Sequence, residues 1–177
     1  MKTTQFLFAG FGGQGILFAG KFASYKGLIE NRQVSWLPSY GPEMRGGTAS
    51  CSVIISDEPI GSPIVSNPDI LIAMNLPSLD KYENSVVPGG IVFVDSTLIE
   101  RKVLRDDVSV YYIPATKLAN DNNMPTLANM IIIGKILKEL DEYNEQTVVK
   151  ALNKVISAKH ADMLDINLKA IKIGAEN

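Results

Sequence analysis

The chain has 177 residues, a length that suits one domain with its own hydrophobic core. Its formal net charge is −2, which excludes the strongly basic surface typical of a nucleic-acid-binding protein. Because Cys51 is the only cysteine and His160 the only histidine, an internal disulfide is excluded, and a Cys/His metal site or a cysteine-ligated iron–sulfur cluster is very nearly so.

The single cysteine favours a reducing, intracellular setting. The N-terminal residues lack the layout of a signal peptide, and no apolar run approaches the ~20 residues of a membrane span. We therefore expect a cytoplasmic protein that binds neither membranes nor nucleic acid.

The first predicted strand, residues 2–9, is followed by a glycine-rich turn and a helix predicted over residues 15–30. Gly10, Gly12 and Gly15 have the Gly-x-Gly-x-x-Gly spacing of phosphate-binding turns between a strand and a helix. Gly10 is expected to allow a sharp exit from the strand, Gly12 the close approach of a ligand, and Gly15 tight packing of the helix on the strand. Phosphate binding at the helix N-terminus and tight packing without a ligand are equally compatible with this motif.

The second predicted strand, residues 34–37, bears on the kind of ligand. A nicotinamide site usually has an Asp or Glu at the end of this strand, ~20 residues after the glycines. Neither this strand nor residues 38–40 contain a carboxylate. An ordinary NAD enzyme is therefore disfavoured, whereas a phosphate-bearing ligand is still allowed.

Residues 38–48 form a predicted loop with the sequence Pro-Ser-Tyr-Gly-Pro-Glu-Met-Arg-Gly-Gly-Thr. The loop is either a long surface turn or a functional loop, and a βαβ unit would place it at the strand ends near the first glycine turn, which favours function. Arg45 among glycines is suited to bind a phosphate or a carboxylate through two hydrogen bonds. Alternatively, Glu43 and Arg45 form a surface ion pair of little energetic value.

Further strands are predicted over residues 49–56, 69–75, 91–94 and 108–113, and helices over residues 76–84, 115–120, 125–140, 145–157 and 165–173. Strands that alternate with helices predict an α/β fold, here a three-layer Rossmann-like sandwich with a mainly parallel sheet. We find no linker and expect residues 1–177 to form one module.

The helix predicted over residues 125–140 begins with Pro125, which suits the first helical position. Its apolar residues surround the helix almost completely, so burial on several sides is expected. In a domain this small, we expect part of this helix to contact a partner chain.

No self-sufficient catalytic apparatus is evident. Cys51 has no nearby histidine to activate it and is expected to be a buried apolar residue. His160 lies in a polar stretch and is expected to be solvated, while Asp95, at a strand end, is expected to cap or close a turn. No catalytic residue and no metal ligand is assigned. An anion site without catalytic groups points to a subunit of a larger enzyme.

Two stretches together resemble the gamma subunit of 2-oxoacid:ferredoxin (acceptor) oxidoreductases. They are Gly-Phe-Gly-Gly-Gln-Gly at residues 10–15, which opens a helix, and residues 36–48 with their Arg-Gly-Gly-Thr ending. Pro-Gly-Gly at residues 88–90 and Pro-Ala-Thr at residues 114–116 are similar as well, and the resemblance covers residues 5–140. Tyr-Gly-Pro-Glu-Met-Arg-Gly-Gly looks more like the 2-oxoglutarate branch than the pyruvate or indolepyruvate branches.

The resemblance implies a complex that decarboxylates a 2-oxoacid on thiamine diphosphate, passes electrons through iron–sulfur clusters to ferredoxin, and forms an acyl-CoA. It implies alpha, beta and ferredoxin-like delta partner subunits, which would hold the thiamine diphosphate and the clusters, whereas this chain would hold no cofactor alone. The candidate residues for contact with coenzyme A or a partner subunit are Gly10, Gly12, Gly13, Gln14, Gly15, Tyr40, Glu43, Arg45, Gly46, Gly47 and Thr48. The alternatives are a stand-alone nucleotide- or CoA-binding regulatory protein and an independent NAD(P) enzyme.

Overall fold

Strands and helices alternate along the chain in a computed structural model, which describes residues 3–39 and 48–177. The strands within these residues are β1 (Thr3–Phe11), β2 (Gln33–Ser39), β3 (Thr48–Ser56), β4 (Ile70–Ala73), β5 (Ile91–Asp95) and β6 (Ser109–Ile113). The α-helices are α1 (Ile16–Ile29), α2 (Leu76–Tyr82), α3 (Ala115–Asp121), α4 (Ala128–Glu139), α5 (Glu145–Val155) and α6 (Met163–Glu176). Most elements lie within two or three residues of the positions that the hydrophobic pattern predicts.

The strands form one sheet in the order β2-β3-β1-β4-β5-β6. Strands β1, β4, β5 and β6 pair in parallel, whereas β3 is antiparallel to both of its neighbours, β1 and β2. The prediction of an α/β fold with a mainly parallel sheet is therefore confirmed. Because β2 and β3 are antiparallel, Ser39 and Thr48 both lie toward the end of the sheet where β1 ends.

The two faces of the sheet are covered unequally. Phe6 and Phe8 of β1 face a large cluster of apolar side chains that includes buried residues of α1, α3, α4, α5 and α6. Leu7, between them in the strand, faces a smaller cluster with Leu79 of α2. This division follows from the alternation of side chains along a strand. The predicted three layers are present, with most helices on one side.

Two expectations about α4 are wrong. The helix begins at Ala128, and Pro125 lies in the turn before it. The apolar surface of α4 is buried within this chain, since Met130, Ile131 and Ile132 are no more than 1% exposed. α6 packs directly on α4 through Gly174, so a helix of the same chain covers apolar surface that we expected a partner chain to cover. Among the helices in the described part of the chain, none has the length and apolar character needed to cross a membrane.

Candidate functional site

Residues 12–15 form the glycine turn, which connects the end of β1 to the start of α1. Gly13 has φ 92° and Gly15 has φ 73°, both in the left-handed region that favours glycine. A Cβ atom on Gly13 would meet no atom within 4 Å, so the backbone shape alone requires glycine there. The positive end of the α1 dipole lies at this turn and favours an anion.

The side chain of Gln14 makes two hydrogen bonds to backbone groups that fix the shape of the turn. Its Oε1 accepts a hydrogen bond from the Phe11 N–H at 2.6 Å, and its Nε2 donates to the carbonyl oxygen of Met74 at 2.9 Å. Gln14 thereby joins the ends of two neighbouring parallel strands, β1 and β4. Gln14 was predicted only as a contact for a ligand or a partner, and the glycine spacing gives no sign of this structural role.

Gly10 lies within β1, paired with Ala49, and does not form a sharp exit from the strand as expected. A Cβ atom on Gly10 would lie 2.6 Å from Gln14 Oε1 and 2.7 Å from Ile16 Cδ1. Glycine at this position therefore leaves room for the Gln14 side chain to reach the strand.

Gly15 is packed against α4, not against a strand as expected. Its carbonyl oxygen accepts hydrogen bonds from the Ala19 N–H at 3.0 Å and from Asn129 Nδ2 at 3.1 Å. A Cβ atom on Gly15 would lie 2.3 Å from Asn129 Nδ2. Asn129 is 114 residues away in the sequence and was not among the predicted site residues.

Two cavities of about 340 Å³ each adjoin the turn, and both are lined by Gly15 and Phe18. The remaining lining of the first consists of Phe11, Gly12, Gly13, Ile16, Leu17 and Ala49. The second is mostly apolar and extends between α4, α5 and α6, where Asn129, His160 and Asn167 contribute to its wall. The glycine turn therefore borders open space on two sides.

The C-terminal end of the second predicted loop lies beside the glycine turn. Ser39, the last residue of β2, pairs with Ser50, and the backbone of Thr48 pairs with Phe11. The pairing of Thr48 with Phe11 supports the expectation that this loop lies near the first glycine turn. The remaining candidates, Tyr40, Glu43, Arg45, Gly46 and Gly47, lie outside the described residues.

Asp95 acts as a structural anchor, as predicted. It is fully buried, and its carboxylate accepts hydrogen bonds from the Thr97 N–H, the Thr116 N–H and the Thr116 hydroxyl. These bonds tie the end of β5 to the start of α3 and give Pro-Ala-Thr at residues 114–116 a structural role. His160 is exposed, as expected.

Cys51 is fully buried in β3, and this burial raises the pKa of its thiol to about 12. We expect iodoacetamide at pH 8 to leave the folded chain unlabelled and to modify one site after denaturation, because only the thiolate reacts. Intact-mass measurement would show the difference. As a control, the Cys51→Ser, Ser52→Cys variant moves the thiol to a half-buried position on the opposite face and should label faster. Stoichiometric labelling of the folded original chain would refute the expectation.

Within residues 3–39 and 48–177 no group of three or more potential metal-ligating side chains occurs. Gln14, the polar side chain of the glycine turn, forms its hydrogen bonds with backbone groups. The sheet order and the connection of β1 to α1 through the glycine turn define a Rossmann-like α/β module.

The chain belongs to the pyruvate ferredoxin/flavodoxin oxidoreductase family, whose sequence profile matches residues 5–177. It is 38% identical over 169 residues to the ketoisovalerate oxidoreductase subunit VorA of Methanothermobacter thermautotrophicus, a match that covers 95% of this chain and 35% of VorA. The chain thus spans about a third of the length of VorA. It is also 37% identical over 147 residues to the 2-oxoglutarate synthase subunit KorC of Methanocaldococcus jannaschii, covering 81% of this chain and 79% of KorC.

Solved structures agree with this assignment. The gamma subunit of keto/oxoacid ferredoxin oxidoreductase from Geobacter sulfurreducens superposes with a TM-score of 0.85 at 27% identity, over 99% of this chain and 96% of that one. The 2-oxoglutarate:ferredoxin oxidoreductase of Magnetococcus marinus, solved with 2-oxoglutarate, coenzyme A and succinyl-CoA bound, gives a TM-score of 0.87 at 25% identity and covers 99% of this chain and 31% of that one. The resemblance to gamma subunits and the predicted fold class are confirmed.

Proposed function

We propose that residues 1–177 form the gamma subunit of a complex that oxidatively decarboxylates a 2-oxoacid, with 2-oxoglutarate as the first candidate, to acyl-CoA, CO2 and reduced ferredoxin. The observation that carries the proposal is the high mutual coverage with KorC, 81% and 79%, and the near-complete mutual coverage with the Geobacter gamma subunit, 99% and 96%. The Geobacter subunit consists almost entirely of a module with this fold. The Magnetococcus structure, by its bound ligands, supports 2-oxoglutarate and coenzyme A as substrates.

The proposed partners are the alpha, beta and ferredoxin-like delta subunits. The only cysteine of the chain is buried in the sheet, so the chain does not fit the cysteine-rich ligand set of an iron–sulfur cluster. The clusters and the thiamine diphosphate would therefore belong to partner subunits. The contribution of this chain would be to bind coenzyme A, or a partner subunit, at the glycine turn.

The geometry of the turn supports coenzyme A binding. Gly12, Gly13 and Gly15 border a cavity at the N-terminus of α1, where backbone N–H groups and the helix dipole favour a phosphate. Gly10 and Gln14 would contribute by shaping the turn. The C-terminal end of the neighbouring loop adjoins this cavity, because Ala49 lines it and Thr48 pairs with Phe11.

The second loop supplies the remaining proposed contacts, which are Tyr40, Glu43, Arg45, Gly46, Gly47 and Thr48. We propose that the guanidinium group of Arg45 binds either a phosphate of coenzyme A or a carboxylate of the alpha subunit. Both kinds of anion match the two parallel N–H groups of an arginine.

The purified chain alone is expected to show no 2-oxoglutarate- and CoA-dependent reduction of a viologen dye. Turnover should appear when the alpha, beta and delta subunits are added, because catalytic groups and cofactors would be in those chains. A complex assembled without this chain is the matched control and should be inactive or strongly impaired. Turnover by the chain alone, or full turnover without it, would contradict the proposal.

The same experiment addresses the stand-alone regulatory alternative. A regulatory CoA-binding protein would bind coenzyme A by itself and leave the turnover of the other subunits intact when it is omitted. None of the relatives described above has a name that denotes such a protein. Parallel assays with pyruvate and 2-ketoisovalerate would identify the preferred 2-oxoacid.

A further inference from the structure

The hydrogen bond from Asn129 Nδ2 to the carbonyl oxygen of Gly15 joins α4 to the glycine turn. Asn129 is the second residue of α4 and is only 3% exposed. Gly15 is the last residue of the turn and immediately precedes α1. Because a buried side chain has little freedom, this bond restricts where the carbonyl group of Gly15 can lie.

Only one of the two polar atoms of the Asn129 amide is hydrogen-bonded within the described residues. Its Oδ1 atom is buried and has no hydrogen-bond partner within the described residues. An unpaired buried acceptor destabilises a folded protein, and an apolar side chain of similar shape would avoid that cost. Gly15 O would still accept the N–H of Ala19 if Asn129 were replaced. The bond to the turn is therefore the feature that an apolar residue could not supply.

We propose that Asn129 is a positioning residue, which holds Gly15 so that the backbone of Gly12 and Gly13 keeps the shape that receives a phosphate of coenzyme A. The inference rests on the proposed function of the turn. It assigns the shape of the coenzyme A site partly to α4, a helix that does not belong to the glycine motif. Asn129 itself acts through Gly15.

Asn167 of α6 provides a matched control. It is 2% exposed, and its Oδ1 is likewise buried without a partner. Its Nδ2, however, donates to the carbonyl oxygen of Met163 in the same helix, at 2.8 Å. Asn129 and Asn167 therefore share burial, chemistry and an unpaired oxygen, and they differ in whether the amide contacts the glycine turn.

The test compares Asn129→Leu and Asn167→Leu in the assembled complex. Three quantities are measured: deuterium exchange of residues 12–16 without coenzyme A, the KM values for coenzyme A and the 2-oxoacid, and the melting temperature. Asn129→Leu should accelerate exchange in residues 12–16 and raise the KM for coenzyme A about 5- to 10-fold, the equivalent of one lost hydrogen bond. The KM for the 2-oxoacid should stay unchanged. Asn167→Leu should leave both the exchange and the KM for coenzyme A unchanged.

Exchange in residues 12–16 that is unaffected by Asn129→Leu would overturn the inference, whatever the kinetics. Equal effects of the two variants on the KM for coenzyme A would also overturn it, because they would indicate general destabilisation. If Asn129→Leu does not assemble, Asn129→Ala is judged by the same criteria.

Gly13→Ala separates this inference from the proposed function, because it alters the turn directly. If Gly13→Ala raises the KM for coenzyme A and Asn129→Leu does not, only the positioning role fails. If neither variant changes that KM, the coenzyme A contact of the turn fails as well.

Discussion

Gly134→Ala is expected to lower the free energy of unfolding of the chain by more than about 4 kcal/mol, a large effect for one methyl group. α4 and α6 cross in direct contact at two glycines. A Cβ atom on Gly134 would lie 1.9 Å from the carbonyl oxygen of Ile171, and one on Gly174 would lie 1.8 Å from that of Ile131. Both obstacles are backbone atoms, so the helices would have to separate and expose part of the core.

The expected loss of stability is opposite in direction to the effect of helix propensity alone. Alanine is favoured over glycine inside a helix by about 1 kcal/mol, so a loose crossing would give a more stable variant. Gly27→Ala in α1 is the matched control, because the added methyl would meet side-chain methyl groups of Val34 and Ile55 that can adjust. Urea unfolding of the three chains gives the comparison, and a Gly134→Ala variant as stable as the original would refute the close crossing.

The same crossing explains what the sequence predicts about α4 and what it does not. The apolar residues all round the helix correctly predict burial on several sides. They cannot identify the covering surface, because a helix of the same chain and a partner subunit present the same apolar side chains. Gly134 and Gly174, forty positions apart within two helical patterns, are the available signal, since glycine is disfavoured inside helices unless close packing requires it.

The fold class is predictable because local patterns determine it. Continuous apolar runs, turn residues and amphipathic segments alternate, and such alternation leads to an α/β sheet. The antiparallel direction of β3 is harder to predict, because a strand that follows a hairpin and one that follows a crossover contain similar residues. In the structure β3 is antiparallel to β1, with Thr48 opposite Phe11.

The sequence predicts where the glycine turn lies, but not what its glycines contact. The glycine spacing correctly locates the turn between β1 and α1. The reasons for its glycines depend on contacts that spacing does not encode. Gly10 accommodates Gln14, and Gly15 accommodates Asn129, which lies 114 residues further along the chain. A polar residue next to the apolar run at residues 130–133 is the signal by which Asn129 can be found.

On the proposed function of the glycine turn, Gly15→Ala is expected to weaken coenzyme A binding more than any of the other variants. The left-handed backbone at φ 73° costs a residue with a Cβ atom about 1–2 kcal/mol. The new methyl would also lie within 2.3 Å of Asn129 Nδ2, so the hydrogen bond to the Gly15 carbonyl would be lost or the turn displaced. Together these effects predict a KM for coenzyme A raised on the order of 100-fold, since each 1.4 kcal/mol is a factor of ten.

Two further variants separate the backbone cost from the steric one. Gly13→Ala carries only the backbone cost, because no atom lies within 4 Å of its Cβ position, and should raise the KM for coenzyme A about tenfold. Adding Asn129→Ala to Gly15→Ala removes the clash but restores neither the hydrogen bond nor an unstrained backbone at φ 73°, so the KM of the double variant should stay close to that of Gly15→Ala and not rise by the further 5- to 10-fold that additive effects would give. If Gly15→Ala changes the KM no more than Gly13→Ala does, the contact between the glycine turn and α4 does not govern the coenzyme A site.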